Sequence, residues 1–206
     1  MKEYYSVIAF MLISGVCCPS FGMFGYYFMM DTLGISKFTY SLLTLLGFIG
    51  VICGTWMYHH WFNAYEFRSM MMIEVAIGLF LAPFSFVLVS RVNLTWGVPD
   101  LTLIIFSDAV GDIIMQCFGF LPLAVLISKI CPQRIEATAY ALFASFINLR
   151  NPMRAWIGSW VNDSFIGVTE ADLSNYWQLM VIGLVCSFIP LAFLWLIPTK
   201  ADINEL

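Results

Sequence analysis

The sequence predicts an all-α integral membrane protein of six transmembrane helices. Composition is the first reason: 61% of the 206 residues are hydrophobic, 17% aromatic and only 11% charged. A soluble domain is usually about a quarter charged, and a mean hydropathy of +0.88 leaves too little polar surface to face water. The second reason is length, because the chain divides into six apolar stretches, each able to cross about 30 Å of hydrocarbon. The third is pattern: barrel strands would alternate over about ten residues, and these stretches do not.

The first stretch, Tyr4–Met30, is interrupted by Pro19. It is too long for a secretory signal peptide and has no small-residue cleavage site. The second, Phe38–Trp61, ends in His59 and His60 beside Trp61. Adjacent helical residues face different ways, so these histidines read as an interfacial anchor rather than a ligand pair. The third is Phe67–Val89, with Glu74 in its first third and Pro83 further on. Glu74 is close enough to the end of its span to snorkel, and the sequence gives it no role. The fourth, Leu101–Ile130, carries Asp108, Asp112, Gln116 and a second early proline, Pro122. A short basic elbow, Lys129 to Glu136, turns the chain into the fifth, Ile135–Val161, and the sixth is Tyr176–Ile197 with Pro190 inside it.

Six spans place both termini on one side. That side carries Lys2, Arg68, Lys129, Arg134 and Lys200, against Lys37 and Arg91 on the other. The bias makes the terminal side cytoplasmic, or matrix-facing in an organelle inner membrane. Two glycosylation-type triplets, Asn93-Leu94-Thr95 and Asn162-Asp163-Ser164, fall on the opposite side, in agreement. The layout is a single six-helix domain over residues 1–206, with short loops and antiparallel neighbours. Its first and fourth helices hold the matching prolines Pro19 and Pro122, read as cavity-lining breaks of two inverted three-helix repeats or else as tolerated kinks. Gly50 with Gly54, and Ala137 with Ala141 and Ser145, form small-residue stripes that predict close helix approach.

Chemistry concentrates in spans four and five. Asp108, Asp112 and Gln116 are four residues apart and share a face. Asn148, Arg150, Asn151 and Arg154 lie deep inside span five, where cations are costly. Counted from each span's middle, Asp112 and Arg150 lie about 4–5 Å towards the non-cytoplasmic side and Asp108 and Arg154 about 10 Å. The depths match, so a double carboxylate–guanidinium ladder is expected, Asp112 with Arg150 and Asp108 with Arg154. Such a ladder either locks two helices together or serves as an anion-binding cationic patch, or a proton-coupled carboxylate, in a central cavity. The six cysteines show no metal or disulfide spacing. There is no nucleophilic triad, phosphate loop or zinc motif, so neither an enzyme nor a cofactor is expected. The net charge of −4 argues against nucleic acid as a partner.

The elbow and the first half of span five carry a resemblance. Cys131-Pro132, Glu136-Ala137-Thr138, Ala141-Leu142, Ser145 and Asn148 are similar to the signature of the folate–biopterin transporter family of the major facilitator superfamily. Pro19-Ser20, Tyr26-Tyr27, Leu33-Gly34-Ile35-Ser36, Tyr58, Arg68, Asp108, Pro122, Trp156, Asn175 and Trp177 match along the chain in the same order. The resemblance implies the C-terminal six-helix half-bundle of a twelve-helix fold, with the first and fourth helices lining a central cavity. It implies a pterin- or folate-like ligand, and completion by a second membrane subunit or a homodimer partner, because alternating access needs two bundles. Asp108 matches an acidic position of that pattern, while Arg150 and Arg154 stand where the family has small residues. In a carrier, Asp108 would be the proton-linked acid, Arg150 the anion contact and Asn148 a hydrogen-bond partner, beside Asp112 and Arg154. The alternative is a non-transporting accessory subunit of a larger membrane complex, such as a respiratory or other energy-converting assembly.

Overall fold

A computed structural model describes residues 2–131 and 136–204, apart from the side chains of residues 2, 108, 109, 112, 136, 201 and 204. All regular structure among the described residues is helical. Helix α1 (Lys2–Cys17) breaks at Pro19 and resumes as α2 (Gly22–Tyr27), which widens into a π turn over Phe28–Thr32. The two arms meet at 50°. Proline has no N–H to donate and disfavours helical backbone in the residue before it, so Cys18 and Pro19 cannot continue α1.

Ser36 opens the next helix, its Oγ accepting the Thr39 N–H at 3.1 Å, a side-chain cap for an otherwise unpaired donor. Helix α3 (Lys37–Met57) ends in a second π turn, Tyr58–Phe62. Helix α4 (Phe67–Val89) coincides with the predicted third span, and a one-turn α5 (Val92–Thr95) leads into α6 (Asp100–Ile114). The fourth span is not broken at Pro122. It loosens instead into a π turn, Met115–Phe120, before α7 (Leu121–Ile130), which has the proline in its first turn. A wide turn there shifts the hydrogen-bond register just where a donor is missing.

The long helix α8 (Glu136–Val161) closes with a π turn, Asn162–Ile166. Gly167, at φ 75°, ends it in the left-handed region that glycine enters without a Cβ penalty, its N–H returning to the Asn162 carbonyl at 2.8 Å. Helix α9 (Tyr176–Cys186), a 3₁₀ segment Ile189–Leu196 beginning at Pro190, and α10 (Lys200–Asn204) complete the chain. Within the basic elbow, residues 132–135 lie outside the described residues.

Three helices among the described residues are long and apolar enough to cross a membrane: Lys37–Phe62, Phe67–Val89 and Tyr176–Leu196. A fourth is added if the bent pair α1 and α2 is one span. Helix α8 is the least apolar of the long helices, because Asn148, Arg150, Asn151 and Arg154 interrupt it. Large apolar side chains such as Phe48, Ile52, Phe80, Trp156 and Trp195 lie on the outside, as expected where the solvent is lipid.

The closest neighbours are α3 with α6 and α1 with α8, followed by α4 with α6 and α1 with the Ile189–Leu196 segment. Exchanging the first span with the fourth, the second with the fifth and the third with the sixth turns each of these pairs into another. The α3–α6 approach passes through Gly54, where a Cβ would come within 2.7 Å of the Ile113 carbonyl oxygen, so that small-residue expectation holds. The second stripe does not pack as expected. Ala137, Ala141 and Ser145 face outwards, and α8 meets α1 through a different face, with the Tyr4 hydroxyl donating to the Ala139 carbonyl at 2.6 Å.

The core at the terminal end of the bundle gathers Val7, Met11, Phe67, Leu126, Ile127, Phe143 and Ile197. Arg68 fastens the end of the sixth span to it by donating to the carbonyls of Ile197 at 2.7 Å and Trp195 at 3.3 Å. Its charge sits at a helix C-terminus, where unpaired carbonyls favour a cation.

Candidate functional site

The Pro19 break leaves backbone groups without helical partners, and span five supplies partners for two of them. Arg154 Nε donates to the Cys18 carbonyl at 2.7 Å, and the Ser20 N–H donates to the Arg154 carbonyl at 2.9 Å. One turn further along α8, Gly158 lies directly on the Ser20 backbone. A Cβ there would collide with the Ser20 carbonyl oxygen and come within 3.0 Å of its carbonyl carbon. Arg154 and Gly158 therefore clamp the bend in span one. Pro19 itself is buried, as is Pro122.

Arg150, one turn before Arg154, runs its stem across α1 at Gly15, where a Cβ would lie 2.8 Å from the Arg150 Cγ. Its Nε is buried and has no hydrogen-bond partner among the described residues. Glu74 approaches from α4, its carboxylate in a notch at Gly119 of the π turn, where a Cβ would come within 2.6 Å of Oε1. The carboxylate interacts electrostatically with Arg150 and Arg154, yet among the described residues neither arginine makes an ion-pair contact with it. Glu74 thus does not snorkel to the end of its span, contrary to the sequence expectation. An acid inside an apolar span was itself the available signal.

The side chains of Asp108 and Asp112 lie outside the described residues, and so do both rungs of the expected ladder. The third member of that row, Gln116, donates to Thr55 Oγ1 on α3 at 3.3 Å. A depth match between Cα atoms also neglects side-chain direction. Asn148 and Asn151 are exposed on the outer face of α8.

The two glycosylation-type asparagines are structural. Asn93 is fully buried, its Nδ2 donating to the Val98 carbonyl at 3.0 Å and Asp100 Oδ1 at 2.6 Å. Arg91 Nη1 pairs with Asp100 Oδ2 at 2.9 Å in the same loop. Asn162 is 2% exposed and spans its own turn, donating to the Val168 carbonyl and accepting from the Val168 N–H, each at 2.9 Å. Asn162→Ala is expected to cost about 1–3 kcal/mol, the range for stranding buried polar groups. Ser164→Ala, which destroys the triplet but alters an exposed residue, is expected to change nothing. Thermal unfolding in detergent checks the contrast, and equal effects of the two substitutions would refute the structural role.

The profile of the BT1 family matches residues 2–206. The chain belongs to the BT1 family. Among curated relatives, this BT1-family chain is 29% identical to probable folate-biopterin transporter 4 of Arabidopsis thaliana over 94% of its own length and 39% of the relative's. It is 30% identical to probable folate-biopterin transporter 2 of the same plant, over 81% and 33% of the two lengths. Against the folate-biopterin transporter of Synechocystis sp. (strain ATCC 27184 / PCC 6803 / Kazusa), it is 29% identical over 84% and 35%. The chain spans between a third and two fifths of these relatives. No solved structure matches it. It is an integral membrane member of a transporter family and not of an enzyme family.

Proposed function

We propose that the chain is one six-helix half-bundle of a BT1-family carrier, built as two inverted three-helix repeats with both termini on the cytoplasmic side. With a second bundle it moves a small organic anion of the pteridine or folate class. The unpartnered, buried Nε of Arg150 carries this reading, because a guanidinium nitrogen left without an acceptor in an apolar bundle is prepared for an anion. The interchange of packing pairs between the two halves supports the repeat, and the names of the relatives support the substrate class. The outward row of Ala141, Ser145, Asn148 and Asn151 suits a second bundle or a cavity better than lipid.

In this reading Arg150 is the anion contact and Asp108 the proton-linked acid, while Asn148 lies on the outward row of α8, turned towards the second bundle. Arg154 holds the Pro19 bend and acts through position rather than by touching substrate. A second reading, an accessory subunit without transport, gains from that same structural use of Arg154.

Binding of radiolabelled folic acid to the chain purified from its native membranes with its companions separates the two. Arg150→Gln is expected to weaken binding about 10–100-fold, the equivalent of roughly 1.5–3 kcal/mol for a charged hydrogen bond. No binding by the unsubstituted chain, together with companions from an unrelated complex, would favour the accessory role.

A further inference from the structure

We propose that Glu74 is the internal counter-charge of Arg150, competing with the substrate anion for the guanidinium, so that anion binding is linked to uptake of a proton by Glu74. This rests on Arg150 as the anion contact.

Three observations carry it. The Glu74 carboxylate is close enough to interact electrostatically with Arg150 and Arg154, but it stops short of ion-pair contact. Its carboxylate is nearly enclosed by the bundle, so the neighbouring guanidinium charges act on it with little screening. Its seat is specific: Gly119 lies in the π turn of span four, and the missing Cβ leaves the space that the carboxylate occupies. Arg150 and Arg154 supply two positive charges, so the cluster is left with one net positive charge when Glu74 is ionised and two when it is protonated. With Glu74 ionised, its carboxylate cancels one of the two guanidinium charges and an incoming anion is attracted less strongly. With Glu74 protonated, the same anion meets an uncompensated Arg150 whose Nε lacks a partner. The proton is taken from solvent onto a carboxylate oxygen and returns to solvent when the anion leaves, and no covalent bond to substrate forms.

Among the described residues, few titratable groups surround Glu74. Arg150 and Arg154 reach it from α8. Span four, which packs against α4, contributes Cys117; Asp108 and Asp112 belong to the same span, with side chains outside the described residues. Tyr58 and Cys117 belong to the core that α4 shares with its neighbours, and Arg68 lies six residues earlier on α4 itself. Asp108 and Asp112 are therefore the other groups able to impose a pH dependence, and the test must separate them from Glu74.

The test is the pH profile of radiolabelled folic acid binding to the chain with its native companions. Binding by the unsubstituted chain is expected to tighten as pH falls. In Glu74→Gln it is expected to be about tenfold tighter at neutral pH, one logarithmic unit of the competing equilibrium, and to lose the part of the profile that the ligand's own ionisation does not explain. Glu74→Asp is expected to restore a pH dependence with a moved midpoint. Gly119→Ala, which displaces the carboxylate without removing it, is also expected to move the midpoint. A Glu74→Gln profile that tracks the unsubstituted one overturns the proposal while leaving Arg150 as the anion contact, and would direct attention to Asp108 and Asp112. If Glu74→Gln does not fold, an unmoved midpoint in both Glu74→Asp and Gly119→Ala overturns it equally. Binding that survives Arg150→Gln unchanged defeats the underlying reading of the site instead.

Discussion

Alanine at Gly158 is expected to destabilise the bundle by about 1–3 kcal/mol, the usual cost of forcing added atoms into a filled interior. The reason is what the new methyl would meet. At most tight glycines the obstacle is a side chain that can rotate away, as with Arg150 Cγ at Gly15 or Tyr176 Oη at Gly25. At Gly158 all three nearest atoms are the Ser20 backbone: the carbonyl oxygen, the carbonyl carbon at 3.0 Å and the nitrogen at 3.3 Å. They belong to the Pro19 bend and cannot move independently of it. Relief requires α8 to withdraw from the bend, which stretches both the Arg154–Cys18 and the Ser20–Arg154 hydrogen bonds. Gly78 on α4 is the control, because a Cβ there meets nothing within 4 Å. Gly78→Ala is expected to be neutral or slightly stabilising, since alanine is the better helix former. Thermal unfolding in detergent gives the comparison, and a Gly158→Ala midpoint equal to that of Gly78→Ala would remove the clamp from the account.

Gly158 also illustrates what could be read from residues alone. Part of the span pattern was legible because hydropathy integrates over some twenty positions and tolerates local error: Phe67–Val89 is a helix over those same residues, and three or four of the six expected spans are long and apolar enough to cross a membrane. The break at Pro19 was legible because proline acts on its own backbone. Pro122, chemically identical, gave only a π turn, since a helix can absorb a missing donor by widening when its neighbours hold it straight. Partners were the hard part. Gly158 meeting Ser20, Glu74 meeting Gly119 and Arg154 meeting a carbonyl are encounters between distant segments that no local pattern encodes. The outward stripe of Ala137, Ala141 and Ser145 shows the same limit, because smallness says that something approaches closely without saying whether it is this bundle or another. At the site, the arginines were found by their cost in an apolar span. The acid facing them was passed over because it stood near the end of its helix. Depth along the axis was judged without the lean of the side chains, which carries an α8 arginine away from its own Cα level.

Arg150 and Arg154 are one turn apart, carry the same charge and are expected to fail in opposite ways. Arg154→Met removes the donor to the Cys18 carbonyl. That carbonyl was freed by Pro19 and lies where water is scarce, so the loss is expected to be about 1.5–3 kcal/mol, the range for a hydrogen bond from a charged group. Arg154→Lys is expected to recover part of it, as an ammonium still donates but lacks the planar fork that fixes direction. Arg150→Met removes a nitrogen that has no partner to lose, and the methionine stem can still cover Gly15. It is expected to destabilise less than Arg154→Met, since an intramembrane cation is itself unfavourable and Glu74 keeps Arg154 as a counter-charge, whereas folic acid binding should be lost. The pair thus divides into one variant that unfolds early but still binds when cooled, and another that unfolds later than the first and does not bind. Midpoints and binding measured on both variants test the division. Equal destabilisation by the two substitutions would mean that Arg150 is a clamp as well, leaving the bundle without a cation free to meet an anion.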